Sequence, residues 1–286
     1  MTRLAVPKTY KLFIGGAFPR SESGRTYEVL AANGTFLANA AKASRKDARD
    51  AVVAARKAVV GWSGATAYNR GQVLYRVAEL LEGRRAQFVE EVRASEGLSA
   101  KDAAAQVDDA IDTWVWYAGW ADKYAQVAGN ANPVAGPFFN ISVPEPTGVV
   151  AAIAPQGGSS LLGLVAVMAP ALVSGNAVVV VADEAHPLSA ISLTEVLATS
   201  DVPGGVVNVL TGSAVEIAPW LASHSDVNAL DLTGAEELDW VDLQIAAAET
   251  LKRVLPPTGG AIETRSLERI TAFTETKTVW HTKSMR

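Results

Sequence analysis

The stretch GVVAAIAPQGGSSLLGLVAVMAPALVSGNAVVVVADEAHP, Gly148 to Pro187, constrains this chain more than any other. Two Val-rich apolar runs, Val149 to Ala154 and Ala177 to Val181, flank a Gly/Ser-rich turn and an apolar segment of helical length. That order reads as a βαβ unit whose strands are buried on both faces of a parallel sheet. The crossover is expected to be right-handed. In open α/β sheets ligands sit beyond the carboxyl ends of the strands, so Pro155 to Ser160 and Val181 to His186 are the segments expected to line a cleft.

The rhythm continues downstream. Leu188 to Ala198 reads as a helix, Val206 to Leu210 as a strand, Ile217 to Ala222 as a short helix and Val227 to Leu232 as a strand. Thr233-Gly234 then opens a helix over Glu236 to Thr250, and Leu251 to Leu255 is a strand stopped by Pro256-Pro257 and Gly259-Gly260. Such alternation implies a doubly wound parallel sheet. Upstream, residues 10–30 alternate around Gly15-Gly16 and Ser23-Gly24, a strand and hairpin pattern. Ser44 and Asp47 stand at capping-box spacing before a helix that Trp62 and Gly64 break. Arg70 opens a second helix, with Val73, Leu74, Val77, Leu80 and Leu81 on one face and the pattern carried by Phe88, Val89 and Val92 to Gly97.

A third helix spans Ser99 to Tyr124 with Val107, Ile111, Trp114, Val115, Ala118 and Ala121 as its stripe. Its aromatics Trp114, Trp116, Tyr117, Trp120 and Tyr124 read as packing surface. Residues 125–147 form an exposed β-hairpin, Leu267 to Thr274 one or two helical turns, and Thr276 to Trp280 a tail strand whose available partner is the hairpin edge.

With 49% apolar residues, 19% charged and a formal charge of −5, the chain gives no reason to expect nucleic acid as a partner. It contains no cysteine, which excludes disulfides and a thiolate nucleophile. His186, His224 and His281 are too scattered to suggest a metal site. The N-terminal MTRLAVPKTYKLF lacks the apolar core of a signal peptide and no run reaches membrane-span length, so a cytoplasmic protein without membrane contact is expected. The glycines and serines of 157–160 read as a plain strand-to-helix turn, and His186, preceding Pro187, as a solvated loop residue.

Longer motifs add a resemblance. KLFIGGAFPRSESGRTYEV, YAGWADKY (Tyr117 to Tyr124), EPTGVVAAIAP (Glu145 to Pro155), APALVSGNAVVV (Ala169 to Val180), VPGGVVNVLTG (Val202 to Gly212), ASHSDVNALDLTGAEE (Ala222 to Glu237) and LKRVLPPTGG (Leu251 to Gly260) occur in order along the chain. Together they resemble the aldehyde dehydrogenase superfamily. After Gly259-Gly260 the similarity jumps: RSLERITAFTETKTVW resembles the family's extreme C-terminal oligomerisation strand, and a catalytic domain is expected to be absent. The chain is similar in this to the incomplete second unit of two-unit family members.

The resemblance implies an α/β fold: a doubly wound parallel (Rossmann-like) sheet with N-terminal helices, plus a small β oligomerisation element. Residues 1–124 and 148–260 would form the dinucleotide-binding-type domain, and 125–147 with 261–286 the oligomerisation element. The family's chemistry needs a cysteine thiolate, an amide for the oxyanion, a carboxylate base and a nicotinamide dinucleotide. Here the oxyanion segment reads Pro155-Gln156-Gly157-Gly158-Ser159, with Gln156 out of register, and the base position is Pro257. No catalytic residue and no metal ligand is therefore assigned.

In the cofactor segments the family's ribose lysine is Val181 while Glu184 remains. The pyrophosphate loop keeps Thr233 and Gly234, but has Ala235 and Asp239 for its serine and last glycine, and Glu236 and Glu237 in the expected first helical turn would repel phosphate. Glu184, Thr233 and Gly234 are accordingly the vestigial cofactor residues, and NAD(P) binding is expected to be weak or lost. The expected function is that of a non-catalytic subunit pairing its hairpin 125–147 and strand 276–280 with a full-length aldehyde dehydrogenase, with a second copy of itself, or with both. The alternative is an NAD(P)-binding oxidoreductase acting on aldehydes with unconventional residues.

Overall fold

A computed structural model describes residues 8–257, 259 and 262–283. Expectations that touch residues 1–7, Thr258, Gly260–Ala261 and 284–286, including Gly260 of the expected strand stop and the first residue of the tail element, lie outside them.

Three short strands, β1 (Thr9–Tyr10), β2 (Thr26–Leu30) and β3 (Phe36–Ala41), precede helices α1 (Arg45–Gly64), α2 (Ala67–Gly83), α3 (Arg85–Glu96), α4 (Ala100–Trp120) and α5 (Tyr124–Ala128). Strands β4 (Asn130–Asn132) and β5 (Phe138–Pro146) follow. The alternating series is β6 (Val149–Ile153), α6 (Ser160–Val173), β7 (Ala177–Val181), α7 (Leu188–Thr199), β8 (Val207–Leu210), α8 (Ala214–Ser223), β9 (Ala229–Asp231), α9 (Trp240–Ala248) and β10 (Arg253–Leu255). Helix α10 (Leu267–Thr271) and strand β11 (Thr274–Thr282) come last.

The central sheet has the order β10-β9-β6-β7-β8 and every pairing in it is parallel. Its side chains alternate between two cores. Val150, Ala152, Val178 and Val180 face the layer containing α4, α6 and α7, whereas Val149, Ala151, Ile153, Val179 and Val181 face α1, α8 and α9. Burial on both faces explains the unbroken apolar strands of the sequence. Helix α6 has every residue but Leu162 buried, as a helix that is apolar all round must be.

Differences from the sequence reading fall where local signals compete with packing. The hairpin is β2–β3, closed by Ala31–Thr35, and the alanine-rich β3 carried no strand signal. It is held by antiparallel pairing to β2 and parallel pairing to β1, a tertiary override of weak propensity. Helix α1 continues through Trp62, whose ring is buried and whose Nε1 donates to Leu172 O at 3.0 Å. The capping box at Ser44 and Asp47 is present as expected. Helix α2 starts at Ala67, where Thr66 Oγ1 accepts from Asn69 N at 3.2 Å, so Arg70 lies within its first turn and reaches inward to the Val173 and Ala65 carbonyls. Val115 of α4 points out, and Tyr117 takes the buried place.

The tail strand finds the expected partner. β11 pairs antiparallel with β5 from Thr274↔Pro146 to Thr282↔Phe138, in a second sheet of order β11-β5-β4. The segment leading into it is part of the main body: Ile270 and Phe273 are fully buried in the larger core. Tyr124 Oη lies 2.9 Å from Thr274 Oγ1, and Tyr117 Oη accepts from Ser266 N at 3.4 Å, so the aromatic face of α4 and α5 receives the tail. Among the described residues no helix is long and apolar enough to cross a membrane.

One ion pair anchors this segment. Arg269 Nη2 lies 2.6 Å from Asp231 Oδ2, with the two side chains 8% and 0% exposed, and Arg269 also donates to Ala166 O and Thr233 Oγ1. Removing one member of a buried pair strands the other charge. Arg269→Met is therefore expected to lower unfolding stability by about 3–5 kcal/mol, read by urea denaturation.

Burial also pushes the Tyr10 and Tyr117 phenols up to about 12 from the ordinary 10.0. The folded value is the raised one, so their contribution is intact below pH 10 and is lost as pH climbs through about 12. A titration of phenolate absorbance against far-UV circular dichroism should show these two ionising together with unfolding.

Candidate functional site

The site expected beyond the carboxyl ends of β6 and β7 is built from two loops, and both are closed on themselves. After Ile153 the chain must turn sharply into α6, and Gly157 (φ 83°), Gly158 (φ 143°) and Ser159 (φ 54°) supply the left-handed backbone that the turn needs. Such a turn aims successive N–H groups at one region, a ready seat for an anion.

The protein's own carboxylates fill that seat. Gly157 N and Gly158 N each donate to Asp183 Oδ2 at 3.0 Å. Ser159 N donates to Glu96 Oε2 at 3.0 Å and Ser160 N to Glu96 Oε1 at 2.9 Å, with Ser160 Oγ also donating to Oε1 at 2.6 Å. Gln106 Nε2 donates to Glu96 Oε2 at 3.0 Å. The other Asp183 oxygen accepts from Ala185 N and His186 N, which shapes the loop after β7. Burial pushes the Asp183 carboxyl up, against the pull of His186 and of the N–H groups of Gly158, Ala185 and His186.

Gln156 and His186 are likewise engaged. Gln156 Nε2 donates to Ala154 O at 2.6 Å, and its Oε1 accepts from Glu184 N at 3.0 Å, so the amide ties the two loops together. An amide spent in this way is turned from any oxyanion. His186, expected to be solvated, is half-buried, and its Nδ1 lies 3.0 Å from Ser95 Oγ. Ser95 is buried and cannot meet a substrate as a nucleophile. A cavity of about 450 Å³ remains between Glu96, Gln106, Gln156 and His186.

The three expected cofactor residues stand on either side of β6. Glu184, beyond β7, is exposed and free to meet a ligand hydroxyl. Thr233, beyond β9, is buried: its N–H and hydroxyl both donate to Asp231 Oδ1, and Arg269 reaches the same hydroxyl. Gly234 is a packing position, because a Cβ there would overlap the Ala154 carbonyl.

The loop that follows corrects the sequence reading. Residues 236–239 are not helical; α9 begins at Trp240, with Asp239 as its cap accepting from Asp242 N at 3.3 Å. The cap residue at the family's glycine position thus meets the first free N–H groups, and Glu236 and Glu237 lie before the helix. A groove of about 320 Å³ runs between α8 and α9, walled by Val215, Pro219, Leu238 and Leu243 and rimmed by Glu237, Asp239 and Asp242. Its apolar walls suit a flat ring; its rim disfavours a phosphate. Among the described residues no cluster of three His, Asp or Glu side chains could hold a metal ion.

Glu96 was not legible as a site residue. It lies 63 residues from Ser159 in sequence, and an acid just before Gly97 reads as an ordinary helix end.

Comparison with known proteins places this geometry in a lineage. The family model described as "Aldehyde dehydrogenase family" matches residues 18–264. Aldehyde dehydrogenase, cytosolic 1, of Elephantulus edwardii is 33% identical over 260 residues, which are 89% of this chain and 51% of that protein. Omega-crystallin of Enteroctopus dofleini is 33% identical over 250 residues, 86% of this chain and 50% of that protein. The chain spans about half the length of the curated relatives it matches.

Among solved structures, betaine aldehyde dehydrogenase of Staphylococcus aureus in complex with NAD+ superposes with a TM-score of 0.80 at 25% identity, covering 85% of this chain and 48% of that one. The aldehyde dehydrogenase of Brucella melitensis biovar abortus 2308 gives a TM-score of 0.80 at 26% identity, over 85% of this chain and 50% of that one. The parallel sheet, the ordered motifs and the matched span agree: the chain belongs to the aldehyde dehydrogenase family.

Proposed function

We propose that this chain is a non-catalytic, aldehyde-dehydrogenase-like subunit that assembles with a full-length relative in the cytoplasm and stabilises or regulates it. The observation that carries the reading is the occupied turn: the backbone donors of Gly157 to Ser160 are taken by Glu96 and Asp183. The sequence supplies no cysteine for attack, and Gln156 is tied to backbone on both loops. Each missing group alone costs orders of magnitude in rate.

Assembly is supported by the second sheet. Phe139 and Ile141 on one face of β5, and Trp280 on the opposite face of the sheet beside Phe138, are each more than a third exposed, so both faces of this element carry apolar groups of the kind that a partner covers. The same proposal includes weak NAD(P) binding, since Glu184 and the α8–α9 groove survive while the acidic rim and the buried Thr233 oppose a pyrophosphate.

A second reading, an NAD(P)-binding oxidoreductase with unconventional residues, draws support from that groove and from relatives whose structures hold NAD+. Calorimetric titration with NAD+ separates the two. Binding absent or confined to millimolar cofactor fits the subunit reading, and micromolar binding with turnover of simple aldehydes above a contaminant control overturns it. Co-purification from the native cell with a full-length aldehyde dehydrogenase is expected; a self-sufficient homodimer indifferent to such a partner refutes the assembly.

The occupied turn has its own measurable consequence. Glu96→Ala removes the acceptor of Ser159 N and Ser160 N and is expected to lower stability by about 1–3 kcal/mol. Amide exchange at 157–160 should accelerate with it.

A further inference from the structure

On the outer face of the helical layer, away from the cleft, a cavity of about 320 Å³ opens where the first turns of α1 cross the second half of α8. Its walls carry two guanidiniums, Arg45 and Arg49, an indole, Trp220, the imidazole of His224 and the hydroxyl of Ser225, and no carboxylate lines it. A cavity of that size and composition takes a small ligand held by few polar groups.

The Arg45 side chain is held as a donor. Its guanidinium carbon lies 3.6 Å from the centroid of the Trp220 ring, so the cation rests on the indole face and its N–H edge is left for another partner. Most surrounding acids are committed elsewhere: Asp47 to Ser21 and Ser44, Glu22 to Ser44 and Lys46, Glu216 to Lys42 and Asp226 to Arg56, while Asp50 is shared between Lys46 and Arg49. Arg45 has no ion pair among the described residues. Arg49 donates from Nε at 3.3 Å and from Nη2 at 3.1 Å to the one Asp50 oxygen Oδ1, which leaves Nη1 and the outer edge of its exposed guanidinium free.

His224 adds a neutral donor. Its Nδ1 accepts from Asp226 N at 3.1 Å, which places the ring proton of the neutral imidazole on Nε2. Leu221 and Ala48 complete the walls with apolar surface beside the indole.

Planar guanidinium forks match the oxygens of phosphate bidentately, and a stacked fork is already oriented. We propose that this cavity binds a phosphate monoester, with the phosphate between Arg45 and Arg49, His224 Nε2 and Ser225 Oγ completing the donors, and the organic group against Trp220. The site lies on the opposite side of α8 from the groove shared with α9, so it stands apart from any dinucleotide.

Calorimetric titration of the full chain with phenyl phosphate tests this, with Arg45→Ala, Arg45→Lys and Trp220→Leu as variants and sodium sulfate at matched ionic strength as the control. Saturable one-to-one binding is expected, weakened about tenfold or more in both arginine variants because lysine keeps the charge and loses the fork. Trp220→Leu should weaken phenyl phosphate more than inorganic phosphate. Circular dichroism melts identical to the parent show that the variants are folded, as the exposure of Arg45 leads one to expect. No saturable binding at millimolar ligand, unchanged affinity in folded Arg45→Ala, full retention in Arg45→Lys, or equal affinity for sulfate would each overturn the proposal.

Discussion

The contact between Arg269 and Asp231 is the hinge of the whole arrangement. A guanidinium in a dry interior is tolerable only with its charge matched and its N–H groups met, and here one carboxylate, one hydroxyl and one carbonyl do so. The residues involved come from β9 and the loop after it, α6 and α10, so the pair fastens the tail segment over the end of the parallel sheet. Ile270 and Phe273 are then buried, and β11 is delivered to β5 in register. Thr233 is drawn into the same network, which holds it in the interior.

The cleft follows from a comparable substitution of inside for outside. A strand-to-helix turn with four inward N–H groups requires negative charge near it. In this chain Glu96 and Asp183 provide the charge from fixed positions, and Gln156 binds the two loops to each other. A turn satisfied in this way needs no ligand in order to be folded. The sheet that carries the loops is the family's, and the polar groups on the loops face one another.

Much of the fold was legible because it rests on local rules. Buried parallel strands leave continuous Val runs, and β6 and β7 fall where those runs lie; the capping box of Ser44 and Asp47 marks a helix start from four residues alone. β3 was hidden, since half of Phe36–Ala41 is alanine and the strand gains its conformation from two neighbouring strands. The start of α9 was misplaced for a different reason: Glu236, Glu237 and Asp239 are all plausible early-helix acids, and only the Asp239 cap decides among them. Of the candidate site, Glu184 lies exposed just beyond β7, a place that the strand pattern alone gives, whereas the contacts of Glu96 and Arg269 span 63 and 38 residues, beyond the reach of any spacing rule.

The second sheet brings a question of timing. Ser142 and Thr278 face each other across β5 and β11 although 136 residues separate them. Closing a loop of that size is entropically costly unless the intervening chain is already compact. Pairing of the tail strand therefore follows consolidation of the parallel sheet, and until then β5 offers an unpaired edge of nine residues beside a folded body. The element that completes the fold is also the one that, during assembly, stays open longest to a strand from another chain.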